Sequence, residues 1–209
     1  MRHLWGYVAV SAAVIATPGP DTVLTVKNAL LGGRRAGVFT ALGVCTGQAT
    51  WTLFASVGVT AIVRASEAAF IALRLAGAAY LVYVGGQTLL NAFRSRSEWI
   101  AADDIGRRRV TTATAYRQGV ISNVSNPKMA AFFVTVLPQF APGGALASIA
   151  ALGLVFVALT LLWLCGYAMA VARFSALLFR STIRRWVASF TGLILVALGV
   201  GLFTERARG

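Results

Sequence analysis

Long apolar stretches separated by short polar segments make up almost the whole chain. They cover, approximately, residues 5–26, 37–63, 68–93, 114–137, 146–172 and 187–204. A helix needs about 20 predominantly apolar residues to cross the hydrocarbon core of a bilayer, and these stretches are of that order. They are apolar on all sides and lack the alternation of apolar and polar positions that is typical of a membrane β-barrel. The pattern predicts an all-α membrane protein with six transmembrane helices.

Two of the predicted helices are interrupted by proline, and they occupy corresponding places in the chain. The first is broken at residues 17–21 and the fourth at residues 123–128. Proline has no backbone N–H and its ring clashes with the preceding turn, so each break frees polar backbone groups inside the membrane. Interrupted helices at matching positions of two halves are typical of transporters built from inverted repeats. We therefore predict two inverted three-helix repeats, residues 1–93 and 114–209, joined by a cytoplasmic linker at 94–113.

The distribution of charge predicts the orientation of these helices. Only 12% of the residues are charged and the mean hydropathy is +0.76, yet the formal net charge is +13. The basic residues gather in the connections after the first, third and fifth predicted helices, not on the face of a soluble domain that nucleic acid would need. Cytoplasmic loops of membrane proteins carry such an excess of Lys and Arg. We predict a multi-pass protein of the cell inner membrane, in contact with lipids and not nucleic acid, with both termini outside the cytoplasm.

Two charged residues lie at the breaks. Asp21 is the only acidic residue well inside a predicted helix, and Lys128 follows the proline of the opposite break. A charge near the bilayer centre costs about 2.5–3.5 kcal/mol on insertion scales, so it usually faces the interior of the bundle. We expect Asp21 to bind a substrate ammonium or to carry a coupling proton, and Lys128 to bind a carboxylate. The alternative is that Asp21 only caps the helix starting at Thr22 and that Lys128 extends to the membrane interface.

Other residues near the breaks are predicted to complete a substrate-binding site. Those expected to shape it are Pro18, Gly19, Pro20, Asn126 and Pro127, and Asn123 and Gln48 are further candidates. Gly43 and Gly47, close to Gln48, form a small-xxx-small pattern that more often marks close helix packing. His3 is the only histidine, which argues against histidine-based catalysis and metal binding. We expect no catalytic residue, no metal site and no cofactor.

Several segments together resemble a known family. They are Ala16-Thr17-Pro18-Gly19-Pro20-Asp21, the spaced glycines of 37–58, the segment 75–85, the segment 119–128 ending in Asn126-Pro127-Lys128, and Leu137-Pro138-Gln139-Phe140. In these the chain is similar to the lysine exporter (LysE) superfamily, in its homoserine/threonine-resistance (RhtB) branch. The resemblance implies six spans in the inner membrane and proton-driven efflux of amino acids. A histidine is common in the second span of this family, where this chain has Trp51, so the resemblance leaves the role of Trp51 open.

These observations predict a secondary active exporter of amino acids or similar small zwitterionic metabolites, and not an enzyme. Protons are the expected coupling ion, and the expected mechanism is alternating access around a site at the midplane. A homodimer is an open alternative to a monomer. Two other functions compete with this prediction. One is a membrane thiol or electron relay through Cys45 and Cys165, which an inverted repeat would bring together, and the other is export of a metal or another ion.

Overall fold

The computed structural model describes residues 2–17, 19–66, 110–141 and 145–178, and it describes 68–90 and 193–196 only in part. Every regular element within these residues is helical, which confirms the all-α prediction. Pro18, most of the linker predicted at 94–113, and large parts of the third and sixth predicted helices lie outside the described residues.

The first predicted helix is interrupted, as the sequence indicates. Helix α1 covers Arg2–Ala16 and helix α2 covers Pro20–Ala65. The second helix begins where the carbonyl of Gly19 accepts a hydrogen bond from the amide of Val23 at 3.0 Å. Proline is favoured at the first position of a helix because its fixed φ suits the helix and its missing N–H has no partner there anyway. Pro20 therefore starts the new helix.

Helix α2 folds back on itself at Gly33. This residue has φ 74° and ψ −178°, a left-handed conformation that glycine adopts without a steric cost. The side chains of Asn28 and Thr40 are hydrogen-bonded at 2.9 Å, although twelve residues of straight helix would separate them by about 18 Å. Helix α2 is thus a hairpin of two arms, 20–32 and 34–65. The turn lies where the first and second predicted helices should be joined.

The second break is also present. Helix α3 covers Thr112–Val124 and helix α4 covers Pro127–Ala131, and Asn126 caps α4 by accepting a hydrogen bond from the amide of Lys128. The chain continues through a π-helical turn, Phe132–Val136, and a 3₁₀ turn, Leu137–Phe140. The π-helical and 3₁₀ turns were not predicted, because an apolar stretch of sequence is compatible with α-, π- and 3₁₀-helical geometry alike.

Helix α5 covers Leu146–Leu178, and its segment Leu146–Ala170 is long and apolar enough to cross a membrane, with 25 residues and a mean hydropathy of 2.4. The hairpin of α2 packs on α3 and α5 through small residues. A Cβ added at Gly43 would collide with the carbonyl of Tyr116, and one added at Gly119 would collide with that of Thr40. The expectation that the glycine pattern around Gly43 marks close helix packing is confirmed.

An aromatic cluster fills the space between α1, the π turn and α5. Its rings are those of Tyr7, Phe132, Phe133 and Phe156, all with no exposed surface. The centroids of Phe132 and Phe156 are 4.4 Å apart, and Tyr7 donates a hydrogen bond of 2.7 Å to the carbonyl of Leu152 on α5. The cluster fixes the segment after the second break against α5.

Candidate functional site

Asp21 lies in the first turn of α2, and its carboxylate reaches across to the second break. Ser122 Oγ donates to Oδ1 at 2.6 Å, and the side-chain amides of Asn123 and Asn126 donate to Oδ2 at 2.8 and 3.3 Å. The aspartate is 8% exposed, so these three donors replace most of its hydration. The geometry does not support the alternative that Asp21 only caps its own helix, because its carboxylate joins the first half of the chain to the second.

The donors on the second half are held by the end of α3 and the start of α4. Asn126 caps α4 with its side-chain oxygen and donates to Asp21 with its side-chain nitrogen. The same side-chain amide therefore holds the start of α4 and the carboxylate of Asp21. Asn123 is fully buried, and Gly47 makes room for it, since a Cβ there would lie 2.8 Å from the Cβ of Asn123. The orientation of Asp21 therefore depends on how α3 approaches the second arm of α2.

Lys128 makes the reciprocal contact, from the second half to the first break. Its ammonium donates to the carbonyl of Val14 at 3.1 Å and to that of Thr17 at 3.3 Å. The Val14 carbonyl would pair in a continuous helix with the amide of residue 18, but Pro18 has no N–H. The end of α1 also carries the negative pole of the helix dipole, which favours a cation. Lys128 thus supplies the donor that the break removes, and it does not extend to an interface.

The second break has an equivalent unpaired carbonyl. In a continuous helix the carbonyl of Asn123 would pair with the amide of residue 127, which is again proline. It accepts instead from the amide of Asn126 at 3.0 Å and from the indole nitrogen of Trp51 at 3.4 Å. In each half, the carbonyl freed by proline accepts a hydrogen bond from a side chain of the other half.

A small cavity lies between the two breaks. Its volume is about 20 Å³, roughly enough for one water molecule. Its polar lining comes from both halves: Thr17, Asp21, Thr22 and Gln48 from the first, and Asn126, Lys128 and Thr160 from the second, with Gly19, Met129, Phe156 and Leu164 among the other neighbours. Asp21 and Lys128 share this cavity. Within the described part of the chain, no ion pair joins them directly.

Gln48 forms one wall of the cavity and is 2% exposed. Its side-chain nitrogen donates to Thr160 Oγ1 at 3.2 Å and contacts Met129 Sδ at 3.9 Å. Its side-chain oxygen is one of three buried polar side-chain atoms, among the residues described, that have no hydrogen-bond partner; the others belong to Ser11 and Asn123.

The structure brings most of the predicted site residues together. Gly19, Asp21, Gln48, Asn126 and Lys128 line the cavity. Asn123 lies directly behind Asp21, and Pro20 and Pro127 begin the helices that carry the charged residues, whereas Pro18 is not among the described residues.

Sequence reasoning missed several contributors to the site. The carbonyl of Val14 could have been found by counting back four residues from Pro18, and Ser122 by its place beside the break. Thr160 and Met129 gave no comparable signal, because each lies in a long apolar stretch whose orientation only the packing decides.

The two cysteines lie on neighbouring helices, α2 and α5, and both are free thiols. Cys45 is buried and its sulfur is 3.7 Å from the carbonyl of Val157, whereas Cys165 packs beside Val44 and Leu164. In the segments that the structure describes, no three His, Cys, Asp or Glu side chains are grouped as a metal would require.

The chain is similar to known proteins along most of its length. The family model described as LysE type translocator matches residues 12–206. The chain belongs to the LysE type translocator family. Members of this family are membrane transporters and not enzymes, so the resemblance to LysE proteins and the prediction that the chain is not an enzyme are confirmed.

Individual relatives of this LysE family protein differ in how much of the chain they match. The uncharacterized membrane protein YrhP of Bacillus subtilis is 30% identical over 210 residues, which are 96% of this chain and 98% of YrhP. An uncharacterized membrane protein of Pseudomonas aeruginosa is 32% identical over 146 residues, 69% of this chain and 66% of its own length. The leucine efflux protein of Salmonella typhimurium is 28% identical over 138 residues, 66% of this chain and 63% of its own length. No solved structure matches the chain significantly.

Proposed function

We propose that this protein is a secondary active exporter of amino acids or similar small zwitterionic metabolites. Membership of the LysE family and the similarity to a leucine efflux protein support the transport class. The observation that carries the proposal is that one carboxylate and one ammonium, from opposite helix breaks, line the same small cavity. Charged groups inside a membrane bundle are costly and usually mark a substrate or ion pathway.

Asp21 and Lys128 suit the two charged groups of an α-amino acid. A carboxylate has about four lone-pair positions, and three donors occupy part of that capacity on Asp21. An ammonium has three N–H donors, and Lys128 directs two to backbone carbonyls. Each group therefore keeps capacity for a ligand. The substrate ammonium would bind at Asp21, and its carboxylate at Lys128.

The size of the cavity supports alternating access. About 20 Å³ cannot hold an amino acid, so the cavity must widen before a substrate can bind. The polar contacts beside it join one half of the chain to the other, which makes the two halves the natural moving bodies. In the proposed arrangement, residues 1–93 and 114–209 are inverted three-helix repeats in the inner membrane, 94–113 links them on the cytoplasmic side, and both termini lie outside the cytoplasm. A homodimer stays a prediction.

Asp21 is also the proposed site of proton coupling, since it is the only acidic residue among the described residues that line the cavity. A protonated Asp21 no longer offers a negative charge to a substrate ammonium. Proton binding and substrate binding would therefore compete at this carboxylate, and such competition couples the export of one to the import of the other.

The test is transport by the purified protein in proteoliposomes, with a panel of labelled amino acids and an imposed pH gradient. We expect at least one amino acid to move and the gradient to accelerate it. Asp21→Asn and Lys128→Ala should each reduce transport at least tenfold, a loss of about 1.4 kcal/mol or more in binding or barrier height. Thr50→Ala is the matched control, because Thr50 is exposed and bonds only to its own helix. If no amino acid moves, the proposal is wrong.

A further inference from the structure

The side-chain amide of Gln48 is held in one orientation at the wall of the cavity. Its nitrogen is directed at Thr160 Oγ1, 3.2 Å away, and at Met129 Sδ, 3.9 Å away. A thioether sulfur can only accept a hydrogen bond, so the nitrogen and not the oxygen of the amide belongs on that side. The amide oxygen is thereby turned away from Thr160 and Met129.

This oxygen is buried and has no partner in the described part of the protein. A buried carbonyl oxygen without a donor costs free energy, and native proteins rarely keep one without a reason. Ser11 and Asn123 also carry an unpaired buried oxygen, but neither of them lines the cavity, whereas Gln48 does. Gln48 therefore carries an unused acceptor at the wall of the cavity that Asp21 also lines.

We propose that Gln48 Oε1 accepts a hydrogen bond from the substrate ammonium and makes a free amino group a requirement for export. The inference rests on the proposed function and adds a specificity-determining residue to it. An ammonium has three N–H donors, so it can satisfy Asp21 and Gln48 at the same time.

The chemical consequence is discrimination against analogues that lack the amino group. An α-hydroxy acid has the carbon skeleton and carboxylate of the corresponding amino acid, but its hydroxyl carries a single hydrogen and no charge. It can donate to Asp21 or to Gln48, but not to both, and one buried acceptor stays unpaired. Sites built around such acceptors reject a substrate without the matching donor far more strongly than an apolar pocket does.

The experiment compares L-leucine with its 2-hydroxy analogue, 2-hydroxy-4-methylpentanoate, in proteoliposomes. The measured quantity is the ratio of their kcat/KM values. We expect wild-type protein to favour leucine by about a hundredfold or more. Gln48→Met keeps the length and the buried volume but removes the oxygen, and it should reduce this ratio by about tenfold, through a higher KM for leucine.

Ser56→Ala is the matched control. It removes a buried polar group from the same arm of α2, one that bonds to the carbonyl of Thr52 and is not among the described residues lining the cavity, so the ratio should change less than about threefold. Gln48→Leu provides a second test should Gln48→Met fail to fold, since it also removes the acceptor oxygen and should lower the ratio to a similar extent. Folding of each variant is checked by its thermal unfolding in detergent.

The outcomes separate this inference from the proposed function. Wild-type protein that moves neither compound nor any other amino acid overturns the exporter proposal itself. Wild-type transport with an unchanged ratio in Gln48→Met overturns only the role of Gln48. Equal losses in Gln48→Met and Ser56→Ala also overturn it, because they would mean that the ratio responds to the loss of any buried polar group on this arm of α2.

Discussion

The ammonium of Lys128 lies 3.1 Å from the carbonyl oxygen of Val14, the oxygen that Pro18 leaves without a helical partner. The break in the first helix and the lysine of the second break are therefore parts of one arrangement. Asp21 makes the contact in the opposite direction: it belongs to the first break, and side chains at the second break donate hydrogen bonds to its carboxylate. Each break is therefore stabilised by hydrogen bonds from the opposite half of the chain.

Lys128 is expected to matter for stability as well as for transport. Lys128→Met keeps an extended side chain and removes every N–H donor, so the carbonyls of Val14 and Thr17 lose their partner. We expect a loss of about 1–3 kcal/mol in stability, the cost of leaving a buried polar group unpaired. The measurement is thermal unfolding in detergent, with Lys128→Arg as the charge-preserving comparison. A Lys128→Met protein with the melting temperature of wild type would contradict the assignment.

The two breaks could be predicted because proline chemistry is local. Pro18, Pro20 and Pro127 end helices whatever surrounds them, and Asp21 and Lys128 are conspicuous in apolar segments. The partners could not be predicted in the same way. Ser122 bonds to Asp21 over a separation of 101 residues, and that contact depends on how α2 crosses α3. The crossing is set by backbone approach at a few glycines, which no local pattern specifies uniquely.

Asn126 can be used to separate helix capping from the support of Asp21. Asn, Ser and Asp are comparably good N-caps, so Asn126→Ser and Asn126→Asp should both preserve the start of α4. Serine, however, is too short to reproduce the amide donor to Asp21, and aspartate places a second carboxylate beside it. We expect transport to fall moderately in Asn126→Ser and severely in Asn126→Asp, because like charges at this distance repel strongly in a buried site.

The measurement for these variants is KM and kcat for the best amino-acid substrate. Asn126→Ala is the comparison for lost capping, and its loss of about 1 kcal/mol should appear in thermal unfolding. If Asn126→Asp transported as well as Asn126→Ser, the amide of Asn126 would not be supporting a charged Asp21.

The contact between α2 and α3 should tolerate no side chain at its centre. A Cβ at Gly119 would collide with the carbonyl of Thr40, so Gly119→Ala forces the helices apart. We expect it to destabilise the protein by about 1–3 kcal/mol, the usual cost of overpacking. Gly58→Ala, on α2, is the matched control, since a Cβ there meets no atom of the described residues within 4 Å. It should be neutral or stabilising by up to about 1 kcal/mol, because alanine is the better helix former.

Thermal unfolding of the two alanine variants in the same detergent decides this prediction. The movement of α3 should also disturb Asn123, so Gly119→Ala is expected to lower transport along with stability. Equal melting temperatures for Gly119→Ala and Gly58→Ala would show that α2 and α3 do not approach as closely as described.

Trp51 offers the sharpest test of the reciprocal contacts. Its indole N–H donates to the carbonyl of Asn123, freed by Pro127, at 3.4 Å, a distance at the long end for such bonds. Loss of this hydrogen bond should therefore cost only about 0.5–1.5 kcal/mol, which corresponds to a several-fold loss of transport.

Two variants of Trp51 separate the hydrogen bond from packing. Trp51→Phe removes the donor but keeps most of the aromatic volume, whereas Trp51→His keeps an N–H donor and loses more volume. If the hydrogen bond matters, His should transport better than Phe in kcat/KM. If Trp51 only fills space, Phe should transport better than His, so the order of the two variants decides between the two roles.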